Sequence, residues 1–163
     1  MTFQKGSRNM LNRIPTIRIV RGALVAGVYA AVTMLFAPLS FGPVQVRVSE
    51  ALTLLPWLWI EAVPGLFIGC IIANLMGGFG IIDVIFGSAA TLAAALLTCR
   101  MPSRYLAAVP PVVINALVVG GYLSILLELP VLPTMLYVGL GQIVACCGLG
   151  IPLLAVMERR FSR

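Results

Sequence analysis

Polar side chains interrupt the long apolar stretches of this chain, and they are the residues whose types suit a chemical role. They comprise one guanidinium, two carboxylates and four amides: Arg47, Glu50, Asp83, Gln45, Asn74, Asn115 and Gln142. A carboxylate accepts two hydrogen bonds from an amidine-like edge, and an amide both donates and accepts. These groups favour recognition of a small, planar, polar heterocycle. Aromatic walls for such a ligand would come from Phe79, Phe86, Tyr122 and Tyr137.

Each polar residue also has a structural interpretation, and the two stay open for any single residue. Asp83 would favour a helix N-terminus through the helix dipole. Glu50 would cap a helix behind Ser49 and pair with Arg47. Amides such as Asn74 hold helices together by hydrogen bonds in lipid. Because polar groups at membrane depth are costly, several of them at a similar depth favour a binding site.

The composition indicates that these residues lie in a membrane protein. Of 163 residues, 61% are hydrophobic and 10% are charged, and the mean hydropathy is +1.08. A soluble domain has about 45–50% apolar and about 25% charged residues. Continuous apolar runs exclude the alternating pattern of a β-barrel and leave helices. The chain has no histidine, so Ser-His and Cys-His pairs and imidazole metal sites are excluded, and we expect no enzyme, metal or cofactor.

Apart from Arg47, positive charge lies in three places: before the first apolar run, around Arg100 and Arg104, and after the last run. The positive-inside rule puts all three in the cytoplasm, so both termini are cytoplasmic and the number of crossings is even. The sequence therefore predicts an all-α, multi-pass protein of the cell membrane. Its six transmembrane helices are predicted at 20–40, 48–61, 63–77, 82–99, 106–128 and 133–157. We expect one membrane domain over 1–163, with a basic leader (1–19), a bundle (20–158) and a basic tail (159–163).

This topology places most of the polar side chains in the outer half of the membrane. The exception is Asn115, which lies near the middle of the fifth predicted helix. Side chains from several helices would then meet in a cavity open to the outside. Proline should disturb two helices, because Pro56 kinks or ends the second and Pro152 bends the last.

The first predicted helix carries small residues at four-residue spacing in two adjacent registers. One register is Gly22, Ala26 and Ala30, and the other is Ala23, Gly27 and Ala31. Small residues at this spacing let another helix approach closely in lipid. One register would serve internal packing and the other an external partner, or both would serve internal packing.

Five segments resemble the QueT family, whose members are substrate-binding S components of energy-coupling factor transporters. They are GPVQVRVSEALTLLP (42–56), VPGLFIGCIIANLMGGFG (63–80), DVIFGSAATLAAALLT (83–98), PPVVINALVVG (110–120) and YVGLGQIVACCGLGIPLL (137–154). The resemblance extends over residues 20–158. It implies an S-component-like six-helix bundle and a substrate among the 7-deazaguanine precursors of queuosine or queuine itself.

The resemblance also implies partners: a transmembrane coupling protein, called the T component, and two cytoplasmic ATPases, with no nucleic acid. Ala26 and Ala30 would dock on the coupling protein. The chain has no GxxxxGK[ST] phosphate loop, so ATP hydrolysis would occur on another subunit. The family usually has Glu at the position of Gln142, and Gln removes an attractive partner for a cationic aminomethyl ligand.

In the mechanism that this implies, Glu50 or Asp83 accepts the donor edge of the deazaguanine. Asn74, Asn115 and Gln142 would read its O6 and pyrrole N–H, and Gln45 would also line the site. Arg47 would hold Glu50 in place, and a loop with Gly42 and Pro43 would close over the outer mouth. The alternative function is a stand-alone secondary transporter of a small polar heterocycle, although internal repeats typical of such transporters are absent from the sequence.

Overall fold

The chain is helical throughout the part that the computed structural model describes, residues 3–41, 46–77 and 79–161, with side chains from residue 16 onward. No strand occurs within those ranges. Helix 1 is Phe3–Leu35, followed by the short turn Ala37–Ser40. Helix 2 is the 3₁₀ helix Val48–Trp57, and helix 3 is Ala62–Met76. Helix 4 is Gly80–Thr98, helix 5 is Leu106–Leu126 and helix 6 is Val131–Phe161.

Four helical stretches are long and apolar enough to cross a membrane: Thr16–Leu35, helix 4, helix 5 and helix 6. They confirm the predicted all-α, multi-pass membrane class. Helix 3 has 15 residues and helix 2 has 10, fewer than the ~17–25 residues of a typical crossing. The number of six crossings therefore stays a prediction.

Helix 1 begins well before the predicted start at residue 20. Its first residue is Phe3, so the backbone of the basic leader continues directly into the membrane stretch as one helix of 33 residues. Much of the interior of the bundle beside it is apolar, with Leu54, Leu66 and Leu123 almost completely buried.

Helix 2 is wound as a 3₁₀ helix instead of the α-helix predicted over 48–61. A 3₁₀ helix rises about 2.0 Å per residue, so its ten residues extend about 20 Å. Side chains three residues apart are aligned in such a helix, which puts Glu50 and Thr53 in one row, and both are buried. Pro56 lacks an N–H, and the helix ends one residue later at Trp57, earlier than an uninterrupted helix would.

Helices 1 and 3 pack with their backbones in close contact. A Cβ at Gly65 would collide with the carbonyl of Gly22, and a Cβ at Gly69 would lie 2.7 Å from the carbonyl oxygen of Ala26. The glycines of helix 3 thus remove the side chains that would hold the two helices apart.

The three basic regions of the sequence meet at one end of the bundle. Arg21 on helix 1 pairs with Glu61 before helix 3 at 3.2 Å, and its guanidinium lies 5.9 Å from the ring of Phe161 at the end of helix 6. Arg104 before helix 5 pairs with Glu158 on helix 6 at 3.3 Å. We call this region the basic end.

Candidate functional site

A cluster of buried polar side chains lies inside the bundle, and all six helices contribute to it. Its members are each less than 5% exposed: Tyr29, Arg47, Glu50, Asn74, Asp83, Asn115 and Gln142. Helix 3 begins beside the basic end, and Asn74 lies twelve residues beyond Ala62, about 18 Å further along the helix axis. The polar cluster is therefore displaced toward the opposite end of the bundle.

One half of the polar cluster is built around Arg47, which lies just before helix 2. Its Nη2 lies 3.1 and 3.2 Å from the two carboxylate oxygens of Asp83, and its Nη1 donates to Asn74 Oδ1 at 3.0 Å. Asn74 Nδ2 donates in turn to the backbone carbonyl of Asp83 at 2.9 Å. The hydroxyl of Tyr122 also donates to Asp83 Oδ1. This carboxylate is thus neutralised by a cation and held by a second donor.

The other half of the polar cluster is built around Glu50 on helix 2. Tyr29 Oη donates to Glu50 Oε1 at 2.5 Å, and Asn115 Nδ2 approaches Oε2 at 3.4 Å. Beside it, Thr33 Oγ1 and Ser49 Oγ lie 2.7 Å apart. Unlike Asp83, Glu50 forms no ion pair among the described residues. Its carboxylate is therefore held only by neutral donors. The hydrogen bond to its Oε2 is long and weak.

Gln142 is connected to the Glu50 half of the polar cluster by Cys146, which contacts both residues. Cys146 Sγ lies 3.6 Å from Gln142 Oε1 and 3.5 Å from the backbone carbonyl of Glu50. The contact brings helix 6 against helix 2. An amide near a carboxylate offers both a donor and an acceptor to the same ligand edge.

Gly87 provides the space in which Asn74 and Asp83 meet. A Cβ on Gly87 would lie 2.8 Å from Asn74 Nδ2, 2.9 Å from Asp83 Oδ1 and 3.4 Å from Tyr122 Oη. The glycine closes a π-helical segment, Asp83–Gly87, within helix 4. Such π segments are rare and are frequent at functional sites.

Two donors in or beside the polar cluster are buried without a hydrogen-bond partner among the described residues. They are Arg47 Nε and the hydroxyl of Ser88, next to Gly87. Buried polar atoms are nearly always paired, so an unpaired one indicates a missing partner. In a binding site, a ligand acceptor can be that partner.

The pairing of Arg47 with Glu50 that the sequence suggested is wrong. Arg47 has extended backbone angles (φ −86°, ψ 99°) and precedes helix 2, whereas Glu50 lies in its first turn. The guanidinium consequently reaches helices 3 and 4, and the carboxylate faces helices 1 and 5. Glu50 also does not cap helix 2, because that position is occupied by Arg47.

Several predicted residues lie outside the described part of the chain: Gln45, the loop residues Gly42 and Pro43, and Arg163 of the basic tail. Among the predicted aromatic walls, Tyr122 contacts Asp83, and Phe79 lies 6.1 Å from Phe41, whose ring is 5.4 Å from the Arg47 guanidinium. Phe86 is half exposed 6.3 Å from Tyr122. Tyr137 is 54% exposed and does not enclose the polar cluster.

The small-residue register predicted to dock a partner faces inward. Ala26 is buried against Gly69 of helix 3, and Ala30 is half-buried. The other register is exposed at Ala23, Gly27 and Ala31, and a Cβ on Gly27 would meet no atom within 4 Å. Ala26 is thus covered by helix 3 in this structure, because Gly69 has no side chain to hold the two backbones apart.

Sequence reasoning missed Tyr29 as a member of the polar cluster and Gly87 as the residue that leaves space beside it. Tyr29 stands within an apolar run, and its hydroxyl is a buried donor that the count of charged and amide residues overlooked. The signal that could have found it is the cost of an unpaired hydroxyl in lipid. Gly87 carries no such signal, since its role is visible only when helices 3, 4 and 5 are together.

Comparisons with known proteins give a family match and a curated relative. A family model described as the QueT transporter matches residues 19–159. A queuosine precursor transporter QueT of Lactococcus lactis subsp. cremoris (strain MG1363) is 36% identical over 84 residues, which is 50% of this chain and 49% of that protein. The matched stretch spans about half the length of that curated relative, and no solved structure matches the chain. Since the family model covers most of its residues, the chain belongs to the QueT transporter family.

Proposed function

We propose that this protein is the substrate-binding S component of an energy-coupling factor transporter. It binds a queuosine precursor of the 7-deazaguanine class, or queuine, from the outside. The observation that carries the proposal is a polar cluster drawn from six helices and buried inside an apolar bundle. The name of the Lactococcus relative supports the substrate class, and membership of the QueT family supports transport.

In this proposal the chain is one membrane domain with six crossings and both termini in the cytoplasm. The meeting of the basic regions at one end supports it, because the positive-inside rule then acts on a single face. Helix 2 contributes about 20 Å of the ~30 Å hydrocarbon core as a 3₁₀ helix, so a short segment covers more depth than an α-helix would. The polar cluster then lies toward the outer face.

Glu50 is the carboxylate that receives the donor edge of the substrate, its N1–H and 2-amino group. Asp83 is less suited, because Arg47 and Tyr122 already occupy its oxygens. Asn115 and Gln142 complete the recognition of the ring. The unpaired Nε of Arg47 supplies a donor for a carbonyl oxygen such as O6. Asn74 and Asp83 then act as positioning residues that hold Arg47.

Uptake requires a T component and two ATPases, which supply the energy that this chain does not. The exposed register of helix 1, at Ala23, Gly27 and Ala31, is the surface we assign to the coupling protein. Small exposed residues let a partner helix approach closely in lipid. In the cycle, the whole bundle topples in the membrane and releases the substrate to the cytoplasm.

The test is calorimetric binding with the purified chain in detergent. We expect queuine or its 7-deazaguanine precursors to bind and unrelated vitamins not to bind. Glu50→Gln should weaken binding about tenfold to a hundredfold, the cost of a lost buried hydrogen bond to a charged group. Glu128→Gln makes the same charge change at an exposed turn and should bind as the wild type. Absence of binding by every 7-deazaguanine, or unchanged affinity in Glu50→Gln, would contradict the proposal.

Vesicles distinguish the S component from a stand-alone secondary transporter. The reconstituted chain alone should bind substrate without accumulating it. Accumulation driven by an ion gradient, with no ATPase present, would replace the S-component role with ion-coupled transport.

A further inference from the structure

A cavity of 570 Å³ lies at the basic end of the bundle, remote from the polar cluster. Its polar and aromatic lining includes Arg18, Arg21, Trp57, Trp59 and Glu61. Two arginines face one carboxylate there, so the cavity carries a net positive charge. Tryptophan and arginine together are typical of the boundary between a bilayer and water. We call this space the headgroup cavity.

Arg21 is fixed in the wall of the headgroup cavity. Its guanidinium lies 4.8 Å from the centre of the Trp59 ring and 5.9 Å from that of Phe161, and its Nη1 is 3.2 Å from Glu61 Oε1. These contacts leave its side chain about a third exposed. Arg18, one turn earlier, is exposed, and it has no hydrogen bond or ion pair with any described side chain. One cation is therefore held in position and a second is available.

An apolar groove of 390 Å³ continues from the headgroup cavity, and Arg21 and Trp59 line both. Its other walls are apolar side chains of helices 1, 2 and 6, mostly aliphatic, and they include Leu24, Val28, Leu55, Leu153, Met157 and the ring of Phe161. Val28 lies seven residues beyond Arg21, about 10 Å along helix 1 and away from the basic end. The groove therefore runs from a cationic mouth along the apolar depth of the bundle.

We propose that this composite site binds an anionic phospholipid. Its phosphate lies against Arg18 and the exposed part of Arg21, and one acyl chain fills the groove. Charge complementarity selects the headgroup, because basic pockets between membrane helices bind anionic lipids. The aliphatic walls offer the acyl chain contacts that a soluble anion would not use. The site requires only that the basic end lies at a membrane surface.

Tryptophan fluorescence tests the proposal directly, because both tryptophans of the chain line the headgroup cavity. The intact chain is reconstituted in phosphatidylcholine vesicles that contain a small fraction of lipid brominated on its acyl chains. We expect brominated phosphatidylglycerol to quench more strongly than brominated phosphatidylcholine at equal mole fraction. Equal quenching by the two lipids would overturn the proposal and leave the groove to nonselective lipid or to a protein partner.

Matched variants separate a built site from diffuse surface attraction. Arg18→Gln should lower the preference for phosphatidylglycerol about fivefold, the effect of one basic residue near an anionic headgroup. Arg160→Gln removes the same charge at the same end from a residue that lines neither cavity, and it should keep the preference. An equal decrease in both variants would overturn the site. Complete reversal of the quenching by millimolar glycerol phosphate would show that the site binds a soluble phosphate, which would also overturn it.

Discussion

Asp83 and Glu50 are both buried carboxylates, and their neighbours give them different tasks. Asp83 is neutralised by Arg47, whereas Glu50 is held by Tyr29 and Asn115. Burial of an ion pair is costly, and removal of one partner leaves an uncompensated charge in the interior. The Asp83 carboxylate is therefore required for the structure, because it neutralises Arg47. The Glu50 carboxylate has only neutral donors, so it keeps the capacity to bind a further group.

We therefore predict that Asp83→Asn destabilises the fold by about 3–5 kcal/mol, because Arg47 is left buried and unpaired. The double variant Arg47→Gln/Asp83→Asn should cost less than the sum of the two single variants. Glu158→Gln is the control, since its pair with Arg104 is about a third exposed and contributes at most about 1 kcal/mol. Thermal unfolding in detergent measures all four, and simple additivity of the two buried substitutions would contradict the prediction.

At this scale the sequence predicted which residues gather, but not which ones pair. Polar side chains have a high free-energy cost in lipid, which makes Arg47, Asn74 and Asp83 unusual in this sequence. In the structure they contact one another. Partner choice depends on the direction of each side chain, and a residue just before helix 2 points away from Glu50 in its first turn. Such directions follow from backbone angles that residue types alone do not specify.

Among the elements, helices 1 and 3 have the closest backbone contact. Gly65→Ala should destabilise the bundle by about 1–3 kcal/mol, because its Cβ would collide with the backbone of Gly22, which cannot rotate away as a side chain can. Gly27→Ala is the matched control, since its Cβ meets open space and alanine favours a helix by up to ~1 kcal/mol. Melting temperatures of the purified variants check this, and a Gly65→Ala protein as stable as Gly27→Ala would refute it.

The long helices were predictable because long apolar runs without charge leave few alternatives, and Gly80–Thr98, Leu106–Leu126 and Val131–Phe161 all follow such runs. The 3₁₀ winding of Val48–Trp57 could not be predicted, because the apolar residues of this segment show no clear period. The sequence also could not predict which small-residue register of helix 1 faces inward. Both registers are small, and the choice between them is made by Gly65 and Gly69 on another helix.

For the whole molecule, the exposed register of helix 1 predicts a separation of binding from uptake. Gly27→Leu should abolish substrate uptake by cells that contain the proposed coupling protein and ATPases, because a bulky side chain there keeps a partner helix away. Binding by the purified variant should be unchanged, since Gly27 contacts no neighbouring element. Ala89→Leu places the same bulk on an exposed position of helix 4 and should retain uptake. Normal uptake by Gly27→Leu would assign docking to another surface.

The orientation of the bundle in the membrane decides whether the polar cluster faces outward, as we propose. Cysteine introduced at Leu129, between helices 5 and 6, should react with a membrane-impermeant maleimide on intact cells. Cysteine introduced at Pro102, beside Arg100 and Arg104, should react only after permeabilisation, because the positive-inside rule places that turn in the cytoplasm. Both positions are exposed in turns, so burial does not protect either. The unmodified protein gives the background from its own cysteines, of which Cys70 and Cys146 are buried. The opposite labelling pattern would put the polar cluster toward the cytoplasm, and substrate capture from outside would then be excluded.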